Sequence, residues 1–192
     1  MIILLSNDDG YLADGINILA AHLKKIAEII IFAPKENHSG SSSALTLRSE
    51  LQIKKIDDNI FCVNGTPADT VYLGLSGFLD IEPDMVISGV NHGANLGEDV
   101  LYSGTVAAAI EGRSLGIPSI AISSINKNNN NYKVAAQVAV ELVEKLKSHP
   151  FPSDTILNVN VPDRSMGDLN GVVATRLGTR KKSYPIPSTL YG

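Results

Sequence analysis

Short apolar runs recur along this chain, and most are separated by segments with helical periodicity. Such runs are typical of strands buried on both faces of a parallel sheet. The pattern predicts strands at Ile2–Leu5, Ile29–Ala33, Leu51–Ile56, Ile60–Val63, Asp84–Ser88, Ser119–Ser123 and Ile156–Val161, with a further candidate at Val172–Thr175. Helices are predicted at Asp14–Lys25, Pro67–Gly77, Gly104–Leu115 and Tyr132–Lys147.

Local signals mark two of the helix starts. Asp14 is placed to cap the first helix. Thr66 suits the N-cap of the second, Pro67 its first helical position, and Asp69 completes a capping box. The alternation of strands and helices predicts a Rossmann-like, doubly wound α/β fold, with a mostly parallel sheet between two helical layers. The 192 residues suit a single domain over 1–192.

Composition narrows the classes of partner. The formal net charge is −4 and tryptophan is absent, which argues against binding a nucleic acid polymer. The one cysteine, Cys62, cannot form an intrachain disulfide, so a reducing compartment is the default. The first residues do not resemble a signal peptide, and no apolar run approaches the roughly 20 residues that span a bilayer. We therefore expect a cytoplasmic protein without a membrane partner.

Three unusually polar segments, 6–10, 34–43 and 88–105, follow predicted strands, and ligands bind at the carboxyl ends of strands in such sheets. In the first segment, the adjacent carboxylates of Asp8 and Asp9 would repel each other unless a cation lay between them. Their hard oxygens suit Mg²⁺, Mn²⁺ or Ca²⁺ better than zinc. A simple turn that caps the following helix explains this pair equally well.

The other two segments offer hydroxyls, amides and a helix start. In the serine-rich stretch 38–43, a hydroxyl could complete a metal shell, although a flexible surface loop explains the same composition. The long loop 89–103 ends where Ser103, Gly104 and Thr105 open a helix. The free N–H groups at this helix start could bind a phosphate. An N-cap preceded by a structural loop is the alternative, but loops of this length are more often functional.

The combined motifs resemble those of the SurE family (survival protein E, the stationary-phase nucleotidases). The matching pieces occur in the family's order and spacing and cover nearly the whole chain. They are SNDDG at 6–10, APKENHSGSSSALTL at 33–47, GTPADTVYLGL at 65–75, SGVNHGANLGEDVLYSGTVAAAIEGRSLGIPSIAIS at 88–123 and ILNVNVP at 156–162.

The resemblance implies a metal-dependent 5′/3′-nucleotidase that converts nucleoside monophosphates to nucleoside and phosphate, with short polyphosphate as a further substrate. It implies one divalent metal ion, Mg²⁺ or Mn²⁺. The implied metal ligands are Asp8, Asp9, Ser39 and Asn91. The implied phosphate-binding residues are Asn95, Ser103, Gly104 and Thr105.

The resemblance also implies a homodimer or tetramer. Family members continue past the Gly-Thr-Arg segment at 178–180, whereas this sequence stops at Gly192, so a C-terminal extension is expected to be missing. His38 stands where the family often has another polar residue and receives no family role.

The expected mechanism is attack of a metal-activated water on phosphorus, with Asp8 or Asp9 as catalytic residue and candidate general base. A non-catalytic nucleotide- or anion-binding regulatory module is the alternative, since the same helix start would serve it. Two carboxylates argue against that alternative, because without a metal they repel a phosphate. A dinucleotide oxidoreductase is disfavoured because NDDG, rather than a glycine-rich turn, follows the first strand.

Overall fold

The computed structural model describes residues 1–80, 82–125, 132–152 and 154–179. Within these ranges, seven strands form one sheet: β1 Ile2–Ser6, β2 Glu28–Pro34, β3 Ile53–Asp57, β4 Ile60–Val63, β5 Met85–His92, β6 Ser119–Ile125 and β7 Ile156–Pro162. The α-helices are α1 Asp14–Leu23, α2 Pro67–Leu75, α3 Gly104–Ser114 and α4 Tyr132–Ser148. Short 3₁₀ turns lie at Gly97–Tyr102 and Met166–Asp168.

The strand order is β3-β4-β2-β1-β5-β6-β7, and every neighbouring pair is parallel except β3 with β4. From β1 the chain first builds outward through β2, and it later returns to add β5 on the other side of β1. The carboxyl ends of β1 and β5 therefore flank the switch point, where doubly wound sheets bind their ligands.

Both faces of the sheet are buried, because successive side chains of a strand point in opposite directions. Ile3 and Leu5 of β1 belong to a core shared with α1 and α4, whereas Leu4 belongs to a core shared with α2 and α3. All three side chains are fully buried. Two helical layers thus enclose the sheet, which confirms the predicted doubly wound α/β fold. Across the described residues, no helix is long and apolar enough to span a bilayer.

The capping box of α2 is confirmed and has a second use. Thr66 Oγ1 accepts from the Asp69 backbone N–H at 3.2 Å, and Thr66 N–H donates to Asp69 Oδ2 at 2.8 Å. Thr46 also donates to the Asp69 carboxylate, from its backbone N–H at 3.0 Å and its hydroxyl at 2.6 Å. Asp69 therefore ties the chain just after the serine-rich stretch 38–43 to the start of α2.

Three local predictions were wrong. Asp14 does not cap α1: Ala13 is the N-cap, no side chain caps the helix, and Asp14 lies in the first turn, where its charge suits the helix dipole. No strand forms at 172–175; the segment lacks a neighbouring strand among the described residues, and Val172 and Val173 are 71% and 80% exposed.

The third wrong prediction was a structureless loop over 89–103. β5 continues through His92, and a 3₁₀ turn occupies Gly97–Tyr102. An irregularity between Ser88 and Asn91 interrupts the pairing, after which Asn91 pairs with Ser123 of β6. The apolar run ends before this interruption, so the pattern of apolar residues did not predict the part of β5 that follows Ser88.

Candidate active site

The turn after β1 is closed by Asn7, not by the aspartates. Asn7 is fully buried, its amide nitrogen donates to the Gly10 carbonyl at 2.8 Å, and its Oδ1 accepts from Gly10 N–H at 3.1 Å. Gly10 has a φ of 99°, which favours glycine. Asn7 thus supplies the turn, and the carboxylates of Asp8 and Asp9 are left for other contacts. Sequence reasoning missed Asn7, although asparagine three residues before glycine is a recognisable turn signal.

Asp8 is buried beside the start of α3. The residue is 4% exposed, and Oδ1 accepts a hydrogen bond from Thr105 Oγ1 at 2.6 Å. Burial raises the pKa of Asp8, and the bond from Thr105 opposes part of that rise. Among the described residues, no lysine or arginine forms an ion pair with it. The ionised carboxylate thus lacks a permanent positive charge to balance its own.

Asp9 is half-buried next to it. Burial is the main cause that raises the pKa of Asp9, and the neighbouring Asp8 charge adds to the rise. The charge and backbone amide of His92, and Asn37, act in the opposite direction. The Asn37 amide nitrogen donates to Asp9 Oδ1 at 3.3 Å. Two adjacent carboxylates with raised pKa values favour binding of a cation between or beside them.

Asn37 also connects Asp9 to the predicted ligand Ser39. Its Oδ1 accepts from the Ser39 backbone N–H at 2.8 Å. His38, which lies between Asn37 and Ser39, donates its backbone N–H to the Asp8 carbonyl at 2.6 Å. The serine-rich segment therefore lies directly against the turn that carries both carboxylates. Sequence reasoning missed Asn37, and only its position one residue before His38 in a polar stretch could have drawn attention to it.

The carboxyl end of β5 completes this group. Asn91 donates its amide nitrogen to the Gly93 carbonyl at 2.9 Å, so Oδ1 is the atom it can offer to a cation. The following residue, His92, brings its backbone amide to Asp9. Asn91 thus lies at the same edge of the sheet as the carboxylate pair.

The oxygen-bearing side chains at this edge of the sheet are of types that suit a hard divalent cation. Two carboxylates, one hydroxyl and one amide oxygen are the donor types that Mg²⁺ and Mn²⁺ prefer. Within the part of the chain that the structure describes, no three His, Cys, Asp or Glu side chains form a group, so a metal shell here would need hydroxyl and amide oxygens beside the two carboxylates. In the same ranges, Asp8 and Asp9 form no ion pair with a lysine or arginine, and this is the observation that favours such an ion.

The start of α3 faces the same carboxylates. Ser103 is its N-cap, with Oγ accepting from Val106 N–H at 3.1 Å. Thr105 is fully buried, and both its hydroxyl and its backbone amide interact with Asp8. A Cβ added to Gly104 would lie 2.8 Å from Asp8 Cβ, so only glycine permits this approach. The positive end of the helix dipole is thereby directed at the site.

Asn95 lies on the β6 side of the site and is 7% exposed. Its amide nitrogen donates to Ser123 Oγ at 2.9 Å, and its backbone is held by residues of β7. The predicted site residues thus lie along one edge of the sheet, at the carboxyl ends of β1, β2 and β5 and the start of α3.

Known proteins are similar to this chain in sequence and in fold. Residues 3–184 match the model of the family described as Survival protein SurE. The chain is 53% identical over 189 residues to a protein of Methylococcus capsulatus named 5'-nucleotidase SurE, covering 98% of this chain and 75% of that protein. A Legionella pneumophila (strain Lens) protein with the same name is 54% identical over 186 residues, covering 97% of this chain and 74% of the relative.

A solved structure has a similar fold. The crystal structure of a SurE protein from Aquifex aeolicus superposes with a TM-score of 0.90 at 45% identity, covering 94% of this chain and 73% of that one.

Proposed function

This chain belongs to the SurE family, and we propose that it is a nucleotidase that hydrolyses nucleoside monophosphates to nucleoside and phosphate with a divalent metal ion. The buried carboxylate of Asp8, which faces the start of α3 and has no lysine or arginine partner among the described residues, carries the proposal. An ionised carboxylate repels a phosphate group, and a cation bound between the two would remove that repulsion. The proposal covers 5′- and 3′-monophosphates and short polyphosphate, because each presents a terminal phosphoryl group.

The metal would be held by Asp8, Asp9, Ser39 and Asn91, with Mg²⁺ or Mn²⁺ as the ion. When bound, such an ion lowers the pKa of an attacking water and neutralises charge on the phosphoryl group. The Thr105 hydroxyl orients the carboxylate of Asp8, so that one face of the carboxylate remains directed at the site.

The phosphoryl group would be held by Asn95, Ser103 and the start of α3 at Gly104 and Thr105, with the Gly104 amide as the helix donor, because the Thr105 amide already interacts with Asp8. Helix N-termini bind phosphate through their unpaired N–H groups and the positive end of the dipole. These donors are fixed before substrate arrives, so they stabilise charge in the transition state without reorganisation.

One of the two carboxylates, Asp8 or Asp9, would take the proton of the attacking water. Asp8 Oδ1 accepts from the Thr105 hydroxyl and Asp9 Oδ1 accepts from the Asn37 amide nitrogen, so these contacts leave both as candidates for the base. The water would attack phosphorus, the P–O bond to the nucleoside would break, and the nucleoside oxygen would leave with a proton from solvent.

Phosphate release decides between hydrolysis and simple binding. Purified chain is incubated with 5′- and 3′-monophosphates and short polyphosphate in Mg²⁺, in Mn²⁺ and in EDTA. We expect release with at least one metal, none in EDTA, and recovery when the metal is restored. Nucleotide binding without release under any metal would contradict the proposal and favour a non-catalytic regulatory module.

Thr105→Val should raise the metal concentration for half-maximal rate about 10- to 100-fold, the usual cost of losing a residue that orients a metal ligand. Valine keeps the shape of threonine but removes the hydroxyl that donates to Asp8. Metal titrations of the hydrolysis rate measure the change. Thr70→Val is the control, since Thr70 is equally buried and bonds to Ser6 and the Pro67 carbonyl. An equal change in both variants would sink the assignment.

A further inference from the structure

The backbone of Asn95 is held by two asparagines of β7. Asn95 N–H donates to Asn160 Oδ1 at 2.8 Å, and the Asn95 carbonyl accepts from Asn160 Nδ2 at 3.0 Å. Asn158 Nδ2 donates to the same carbonyl at 2.8 Å. One side-chain amide thus pairs with both polar groups of a single residue, and a second reinforces it.

The sheet explains how these side chains meet. Asn158 and Asn160 are two residues apart on β7, so they point to the same face. Asn160 pairs with Ser123 of β6, whose buried hydroxyl accepts from the Asn95 side chain at 2.9 Å. Backbone and side chain of Asn95 are therefore both attached to the sheet, although Asn95 belongs to a connecting segment.

The attachment is selective along that segment. Between His92 and Val100, Asn95 is the one buried residue, and its neighbour Leu96 is 53% exposed. If these hydrogen bonds only held the connecting segment in place, they could be spread over several of its residues. Instead they all contact Asn95. Two polar residues in the otherwise apolar strand sequence ILNVNVP also carry a desolvation cost, and Asn158 has a buried Oδ1 without a hydrogen-bond partner among the described residues.

We propose that Asn160, supported by Asn158, is a positioning residue that fixes Asn95 toward the phosphoryl group. This inference rests on the proposed function, in which the Asn95 amide contacts that group. One amide hydrogen of Asn95 is used by Ser123, and the other is the one it can offer to a phosphoryl oxygen. Fixing the backbone on one side and the side chain on the other sets the direction of that second hydrogen.

The test compares Asn160→Ala with Val159→Ala in the full chain. Val159 lies on the same strand but packs against the core shared with α1 and α4, so its truncation weakens the strand from the opposite face. We expect Asn160→Ala to lower kcat for a nucleoside monophosphate about 10- to 100-fold, as small misplacements of catalytic groups do. KM and the metal concentration for half-maximal rate should change less than about threefold. Val159→Ala should lower the melting temperature and leave kcat near wild type.

Two further measurements separate positioning from general stability. In an Asn95→Ala background, Asn160→Ala should have little additional effect on kcat, because its influence passes through the missing amide. Hydrogen exchange should accelerate at the Asn95 backbone N–H in Asn160→Ala and not in Val159→Ala. That second readout does not depend on turnover.

The outcomes are distinguishable. Additive losses in the double variant, or faster exchange at Asn95 with kcat unchanged, would overturn the positioning role while the nucleotidase proposal stands. Exchange at Asn95 that stays at the wild-type rate in Asn160→Ala would also overturn it. If wild-type chain releases no phosphate with any metal, the proposed function fails, and the positioning role in catalysis fails with it.

Discussion

Asp8→Asn is expected to lower metal-dependent phosphate release about a thousandfold or more. The substitution keeps the size of the side chain and an oxygen that can accept from Thr105, but it removes the charge that would attract the cation. A metal ion supplies several kcal/mol of transition-state stabilisation, which corresponds to a loss of about that size. Initial rates with saturating Mg²⁺ or Mn²⁺ measure it.

The same substitution should stabilise the protein when metal is removed. Burial holds the pKa of Asp8 in the folded protein above the value of about 3.9 that it has in the unfolded chain. The native state therefore binds this proton more tightly, so the contribution of Asp8 to the free energy of unfolding is largest below about pH 4 and is lost as the pH rises through the folded pKa. The asparagine side chain introduced by Asp8→Asn does not ionise, so in EDTA at neutral pH the variant should melt at a higher temperature than wild type.

Asp163→Asn provides the control, because Asp163 is exposed and its replacement changes the charge of the protein by the same amount. It should leave the rate of phosphate release unchanged. Thermal melts in EDTA from about pH 4 to about pH 8 record the stability of all three proteins. Rates of Asp8→Asn close to wild type, or a lower melting temperature in EDTA at neutral pH, would refute the role given to this carboxylate.

Gly104→Ala should reduce kcat/KM about 100-fold while the chain remains folded, since displacements of about 1 Å can cost that much. The added Cβ would lie 2.8 Å from Asp8 Cβ, 3.1 Å from Pro67 Cγ and 3.1 Å from Ser41 Oγ. These close contacts would be relieved only if the start of α3 and the turn after β1 moved apart. That movement would misalign the helix amides and the carboxylate together.

Gly167→Ala is the matched control, because the nearest atom to its added Cβ, Ser165 Oγ, is 4.0 Å away. Circular dichroism confirms folding of both variants, and phosphate release gives kcat/KM. Wild-type activity in Gly104→Ala would mean that the start of α3 is not part of the working site. An equal loss in Gly167→Ala would point to a general effect of the added methyl group.

The fold was readable from sequence wherever one local rule determined the outcome. The run Ile60–Val63 matched β4 in full, and Thr66 with Asp69 formed the predicted capping box. Buried parallel strands and helix caps depend on neighbouring residues, so the pattern contains most of the information needed. The strand order β3-β4-β2-β1-β5-β6-β7 was not predicted, because it depends on how distant segments pack rather than on any single residue.

The site was readable only in part. Residues at the ends of strands were expected to converge, but the contacts that orient them join distant segments. Nothing near Asp9 in sequence indicates that Asn37 would bridge it to Ser39, and nothing near Asn95 indicates Asn160. The two asparagines in ILNVNVP were still a visible signal, because polar residues at alternate positions of a half-buried strand need partners. Which residues become those partners depends on tertiary packing.

The bond from Thr105 to Asp8 joins residues 97 positions apart in sequence, and in the folded protein it accompanies the pairing of β5 with β1. Local contacts alone cannot assemble the carboxylate with its hydroxyl donor, so a chain with only its first βαβ unit folded lacks the complete ligand environment. Occupancy of the site is therefore linked to the global unfolding equilibrium, and an ion that binds there stabilises the sheet as a whole. Under the proposed metal dependence, a shift of the unfolding transition with metal concentration would report on how tightly β1 and β5 are held together.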